Sequence, residues 1–124
     1  LNINLIAQFL EQEKRCDESL FFLEAMVPCT SVKKNPLYYA SKGRCYARIG
    51  SHGKAIENFN TALGLNGENP YILFSLARSY LMAGDRLNAK ITLQRLLEIG
   101  VPGELWPQVE KMTGDIAGNA LQNG

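Results

Sequence analysis

The chain has 124 residues, of which 46% are hydrophobic and 20% charged, and its formal net charge is +1. This is one domain's length with enough apolar residues to bury a core. The balanced charge argues against non-specific binding to nucleic acid or to a membrane surface, and no apolar run approaches the roughly 18 residues of a membrane span.

Charge is unevenly distributed. Residues 1–24 carry Glu11, Glu13, Asp17, Glu18 and Glu24, whereas residues 25–56 carry no acid and hold Lys33, Lys34, Lys42, Arg44, Arg48 and Lys54. One segment of a neutral chain is therefore locally basic. The cysteines are Cys16, Cys29 and Cys45, an odd set with no CxxC pair, which argues against a disulfide framework or a zinc site. A reducing compartment, the cytoplasm, is the simpler expectation. The chain begins at Leu1 rather than Met, which leaves room for a removed leader or a longer frame.

Taken in chain order, residues 1–34 read as a degenerate helix pair. Ile3, Ile6, Ala7 and Leu10 form one helical face and Ser19, Leu23 and Met26 a second. Residues 35–68 open on Asn35-Pro36, a good N-cap followed by a residue suited to the first helical turn. Tyr39, Gly43, Tyr46 and Gly50 then fall at i, i+4, i+7 and i+11, one face at period 3.6. Gly50 suits the left-handed residue that ends a helix. A second helix presents Ala55, Ile56, Phe59, Ala62 and Leu63, and Asn66-Gly67 makes a turn.

Residues 69–102 repeat this plan after a shift of 34. Asn69, Pro70, Ser75, Arg78, Tyr80, Gly84, Ala89 and Leu97 match Asn35, Pro36, Ser41, Arg44, Tyr46, Gly50, Ala55 and Leu63. Residues 104–121 read as a capping helix or a partial further unit, with Trp106, Val109, Met112 and Ile116 on one face. Trp106 reads most simply as a packing anchor, and an exposed interface residue is the alternative.

The order of Tyr39, Gly43, Tyr46, Gly50, Ala55, Phe59 and Ala62 resembles the tetratricopeptide repeat, and so does Leu73, Leu76-Ala77, Tyr80, Gly84, Ala89, Leu93 and Leu96. Lys42, Gly67 and His52 depart from that pattern. The resemblance implies a single all-α domain over residues 1–124, an α-solenoid of about three stacked helix pairs closed by a C-terminal cap. It also implies that the first helix of each pair lines a concave groove.

Beside the core stripe of the first helices lies a second stripe: Leu37, Ser41, Arg44 and Arg48, echoed by Tyr71, Ser75, Arg78 and Met82, with Gln8 from the first unit. These are the candidate groove residues. A guanidinium fork suits carboxylates, so the stripe fits an acidic segment or a C-terminal carboxylate. A solvated Arg pair is the plainer alternative. In co-chaperones of this family a two-carboxylate clamp wants Lys and Asn on the first two inner helices. The set is incomplete here, so binding to heat-shock chaperone tails is not expected.

No nucleophile, phosphate-loop or zincin motif is present. His52 sits at a repeat packing position, Cys45 reads as a buried thiol, and Cys29 falls in a linker without a nucleophile signature. The expected function is a non-enzymatic, cofactor-free module that binds a protein or peptide as an adaptor or scaffold. Two alternatives carry weight: a chaperone similar to the bacterial type III translocator chaperones, or the repeat segment of a larger enzyme or complex subunit. Self-association through the C-terminal helix is a further expectation.

Overall fold

A computed structural model describes residues 16–25 and 35–123. Gln8, Cys29 and the expected first helix of the opening unit lie outside these residues. Among the described residues there are six α-helices and no strand: α1 (Cys16–Ala25), α2 (Pro36–Arg48), α3 (His52–Asn66), α4 (Pro70–Met82), α5 (Arg86–Ile99) and α6 (Trp106–Asn123). A short 3-10 turn, Gly103–Leu105, precedes α6. The chain forms two compact units, Leu1–Gly67 and Glu68–Gly124.

In the first unit, α2 starts where expected. The Asn35 side chain accepts from the Leu37 N–H at 2.9 Å, and Pro36 occupies the first turn. The helix stops in a Schellman-type turn. Gly50 takes φ +90°, its N–H reaches the Ala47 carbonyl, and the Ser51 N–H reaches the Tyr46 carbonyl. A left-handed residue costs Gly almost nothing, which is why the chain reverses here.

The reversal lays α3 along α2. Gly43 receives the ring of Phe59, which is 1% exposed, and Ala55 and Ala62 are fully buried. Burying a ring of this size contributes roughly 1.5–3 kcal/mol. α1 packs on the other side of α2: Cys16, Leu20 and Cys45 form one buried cluster, with Tyr46 against it. The Tyr46 hydroxyl donates to Glu24 Oε1 at 2.6 Å and ties the end of α1 to α2. Cys45 is buried and outside any disulfide, as its place in the repeat implies.

The second unit repeats the device. Asn69 accepts from both the Tyr71 and the Ile72 N–H, at 2.9 and 3.3 Å. Gly84 takes φ +87°, with its own N–H on Leu81 and the Asp85 N–H on Tyr80. Asp85 then caps α5 by accepting from the Asn88 N–H. Leu73, Leu76 and Ala77 of α4 are buried, as are Ala89, Leu93 and Leu96 of α5. After Gly100, at φ +105°, the chain enters the 3-10 turn and α6. Val109 and Met112 bury against this unit, while Ile116 is half-buried. Trp106 remains 43% exposed, so α6 is anchored by Val109 and Met112 instead of the expected indole.

Candidate partner-binding stripes

The first helix of each hairpin has a buried face and a neighbouring stripe that stays near solvent. On α4 the stripe is Tyr71, Ser75, Arg78 and Met82, four residues that the helical period stacks on one side. Tyr71 and Met82 are 50% and 65% exposed, Ser75 is half-buried and Arg78 is exposed. The Arg78 guanidinium sits 5.4 Å from the centroid of the Phe74 ring. This is a cation–π contact, and the guanidinium keeps N–H donors that suit a carboxylate. Phe74 itself is buried, so it serves as the platform for Arg78 and not as a surface contact.

A carboxylate stands at the start of this stripe. The Tyr71 hydroxyl donates to Glu104 of the 3-10 turn. That bond holds the Glu104 carboxyl below the usual carboxylate range and pushes the Tyr71 phenol up.

On α2 the matching stripe is Leu37, Ser41, Arg44 and Arg48. Leu37 is 44% exposed, but Ser41 is buried at 1%. Arg44 is half-buried, with Nη2 3.4 Å from the Ser41 hydroxyl oxygen. Arg48 is exposed and places Nη1 3.9 Å from Cys16 Sγ, toward α1. Tyr38 is 2% exposed, with Lys42 Nζ 5.2 Å from its ring centroid. Leu37 and Arg48 are therefore the exposed members of this stripe, and Arg44 reaches it half-buried, beside the Ser41 hydroxyl.

A second surface escaped the repeat pattern. α5 carries Leu87, Ile91 and Leu97 at 69%, 45% and 47% exposure, in addition to its buried residues. The repeat consensus explains only the buried set. The signal available in the sequence was a helix with more apolar positions than one packed face requires.

Among the described residues no group of three or more His, Cys, Asp or Glu side chains is placed to hold a metal ion. Among the described residues no helix is long and apolar enough to cross a membrane. His52 is half-buried at the start of α3, with its Nδ1 sealed from solvent.

Paired antiparallel helices, each pair built on the same cap, seam and glycine stop, define a helical-hairpin repeat protein. The particular repeat follows from comparison with known sequences. Residues 37–69 match the model of the tetratricopeptide repeat. A TPR repeat-containing protein of Methanocaldococcus jannaschii is 33% identical over 95 residues, which cover 77% of this chain and 16% of that protein. The chain thus spans about a sixth of this relative's length.

The fold is also similar to that of the Yersinia enterocolitica type III secretion chaperone SycD, solved with a peptide of the translocator YopD. The TM-score is 0.82 at 17% identity, covering 95% of this chain and 92% of that one. A tetratricopeptide repeat protein from Parabacteroides merdae gives a TM-score of 0.76 at 17% identity, covering 94% of this chain and 45% of that one. The chain belongs to the tetratricopeptide repeat family.

Proposed function

We propose that the chain is a non-enzymatic interaction module that holds a protein or peptide segment on the first-helix stripes of its repeats. The observation that carries this reading is on α4, where Tyr71, Arg78 and Met82 share one exposed stripe with Arg78 seated on Phe74. Tyr71 and Met82 supply apolar contact, and the Arg78 guanidinium, held near the Phe74 ring, offers N–H donors to a carboxylate. In the first unit Leu37 and Arg44 play the corresponding parts. An acidic segment or a free C-terminus fits this chemistry, and an adaptor or scaffold role follows from binding without catalysis.

A second reading is a secretion-type chaperone that holds a translocator. It is favoured by the likeness to SycD, whose solved complex contains a translocator peptide. Both readings use the same stripes.

The test is a displayed library of peptides with free C-termini, panned on the protein. Affinities of the selected peptides are then measured against the wild type and the Arg44→Glu, Arg78→Glu double variant. The double variant is expected to keep its helicity and melting behaviour and to bind at least roughly tenfold more weakly, about 1.4 kcal/mol. Peptides whose affinity the double variant leaves unchanged would sink the stripe as the binding site.

A further inference from the structure

Within the second unit, α5 and α6 leave an open groove of about 540 Å³ between them. Leu87 and Leu97 of α5 line one wall, and Ile116 and Ala117 of α6 line the other. Leu87 and Leu97 are among the more exposed large apolar residues described. Leaving them in water is unfavourable, and small Ala117 lets a partner backbone come close. Between Arg86 and Leu97 the helix rises roughly 16 Å, three turns, which is the footprint of a short helix.

Among the described residues the charged rim of this groove has one sign: Arg86 and Lys90 line it, one turn apart, and no acidic residue does. Both stand in the first turns of α5, where the helix dipole already favours negative charge. The neighbouring carboxylate is engaged elsewhere: Asp85 accepts from the Asn88 N–H through Oδ1 and from Asn88 Nδ2 through Oδ2. Among the described residues the ion pair of α5 is Arg95 with Glu68, which leaves Arg86 and Lys90 facing the groove without a carboxylate.

We infer that this groove docks an amphipathic helix of a partner protein, with its apolar stripe on Leu87, Leu97, Ile116 and Ala117 and carboxylates one turn apart facing Arg86 and Lys90. The mode is helix-in-groove recognition, with charge setting the direction of the bound helix. A second copy of this chain docking through the same face would bring its own Arg86 and Lys90 into the interface, and like charges there oppose pairing. This site is separate from the first-helix stripes.

The probe is a fluorescent amphipathic peptide of about fourteen residues, with leucines spaced i, i+4, i+7 and i+11 and two glutamates one turn apart beside them. A second peptide carries lysines in place of the glutamates. Anisotropy should show saturable binding of the glutamate peptide to the wild type, weakened roughly tenfold or more by Arg86→Glu with Lys90→Glu. That variant should recover binding to the lysine peptide. Its helicity should hold, because acids in the first turn suit the dipole. The Arg44→Glu, Arg78→Glu variant should keep the wild-type affinity for the glutamate peptide, which separates this groove from the stripes.

The inference is overturned by a glutamate peptide that fails to bind, or by binding that the charge reversal does not change. It is equally overturned by sedimentation showing a concentration-dependent dimer that the charge reversal dissolves, since a second copy would then be the occupant.

Discussion

Gly43 meets the Phe59 ring so closely that a Cβ at position 43 would lie 2.7 Å from Cε1. No real Cβ contact is that short, and the ring is sealed on its other sides at 1% exposure. Gly43→Ala therefore forces α2 and α3 apart. Overpacking costs about 1–3 kcal/mol, against roughly 1 kcal/mol returned by helix propensity. A net loss of up to about 2 kcal/mol is expected in urea unfolding. Gly64→Ala is the control, because nothing lies within 4 Å of its added Cβ. It should stabilise the protein by about 0.5–1 kcal/mol.

The two asparagine caps differ in what they satisfy. Asn69 accepts from two backbone N–H groups and Asn35 from one. Loss of such a cap costs about 1 kcal/mol. Asn69→Ala should cost more than Asn35→Ala, and thermal melts of the two variants check the order. Equal shifts would mean that the second, 3.3 Å bond of Asn69 contributes nothing.

These caps show what the sequence makes legible. Asn-Pro at a helix start, Gly50 and Gly84 at the stops, and the Gly43–Phe59 seam are local or repeat at a fixed spacing, so one-dimensional pattern reading reaches them. The stripe residues were legible as positions but not as environments. Ser41 and Ser75 are equivalent by register, yet one is buried at 1% and the other half-buried. Tyr38, not Tyr39, is the sealed tyrosine, because one residue's rotation on a helix decides which ring turns inward. The bonds from Tyr46 to Glu24 and from Tyr71 to Glu104 join residues 22 and 33 positions apart. No local spacing encodes such pairs. The α5–α6 groove is likewise a product of two helices and is absent from either one read alone.

Two buried or bonded phenols give the fold a high-pH limit. Burial, with the nearby Tyr39 and Glu24 charges, pushes Tyr38 up to about 12. The hydrogen bond to Glu24, then burial, pushes Tyr46 up to about 12. Unfolded tyrosine titrates near about 10. Above that value the folded state holds more protons than the unfolded state, so stability falls as pH rises from about 10 to about 12. The contribution is fully present below pH 10. Tyr46→Phe should lower the urea midpoint at neutral pH and flatten the high-pH decline. Wild-type and variant curves that run parallel through this window would show that the Glu24 bond does not hold the proton.

Arg78 on Phe74 separates binding from stability. An exposed cation–π contact contributes about 0.5–1 kcal/mol. Arg78→Lys keeps the charge but loses the guanidinium fork. It should cost less than about 1 kcal/mol in unfolding, yet weaken a carboxylate-bearing peptide selected on the stripe several-fold. If Lys binds that peptide as well as Arg, the site reads charge alone and the Phe74 platform has no part in recognition.

Glu104 sets the last constraint on that stripe. Its carboxyl accepts the Tyr71 hydroxyl, and this bond holds it below the usual carboxylate range. A depressed carboxyl stabilises the fold above its unfolded midpoint, and the contribution is lost as pH falls through the folded one. Tyr71→Phe removes the donor, so the Glu104 midpoint should rise in an NMR titration and the acid-side difference between the two proteins should vanish at low pH. The same carboxylate stands beside the stripe proposed to take an acidic segment, where it repels an incoming negative charge. Glu104→Gln should therefore tighten binding of a carboxylate-bearing peptide at low ionic strength, with the gain fading as salt rises. Tyr71→Phe alone keeps the repulsion and should not tighten it. A Gln variant that binds no better at any salt concentration would place the peptide's carboxylate away from Tyr71, toward the Arg78 end of α4.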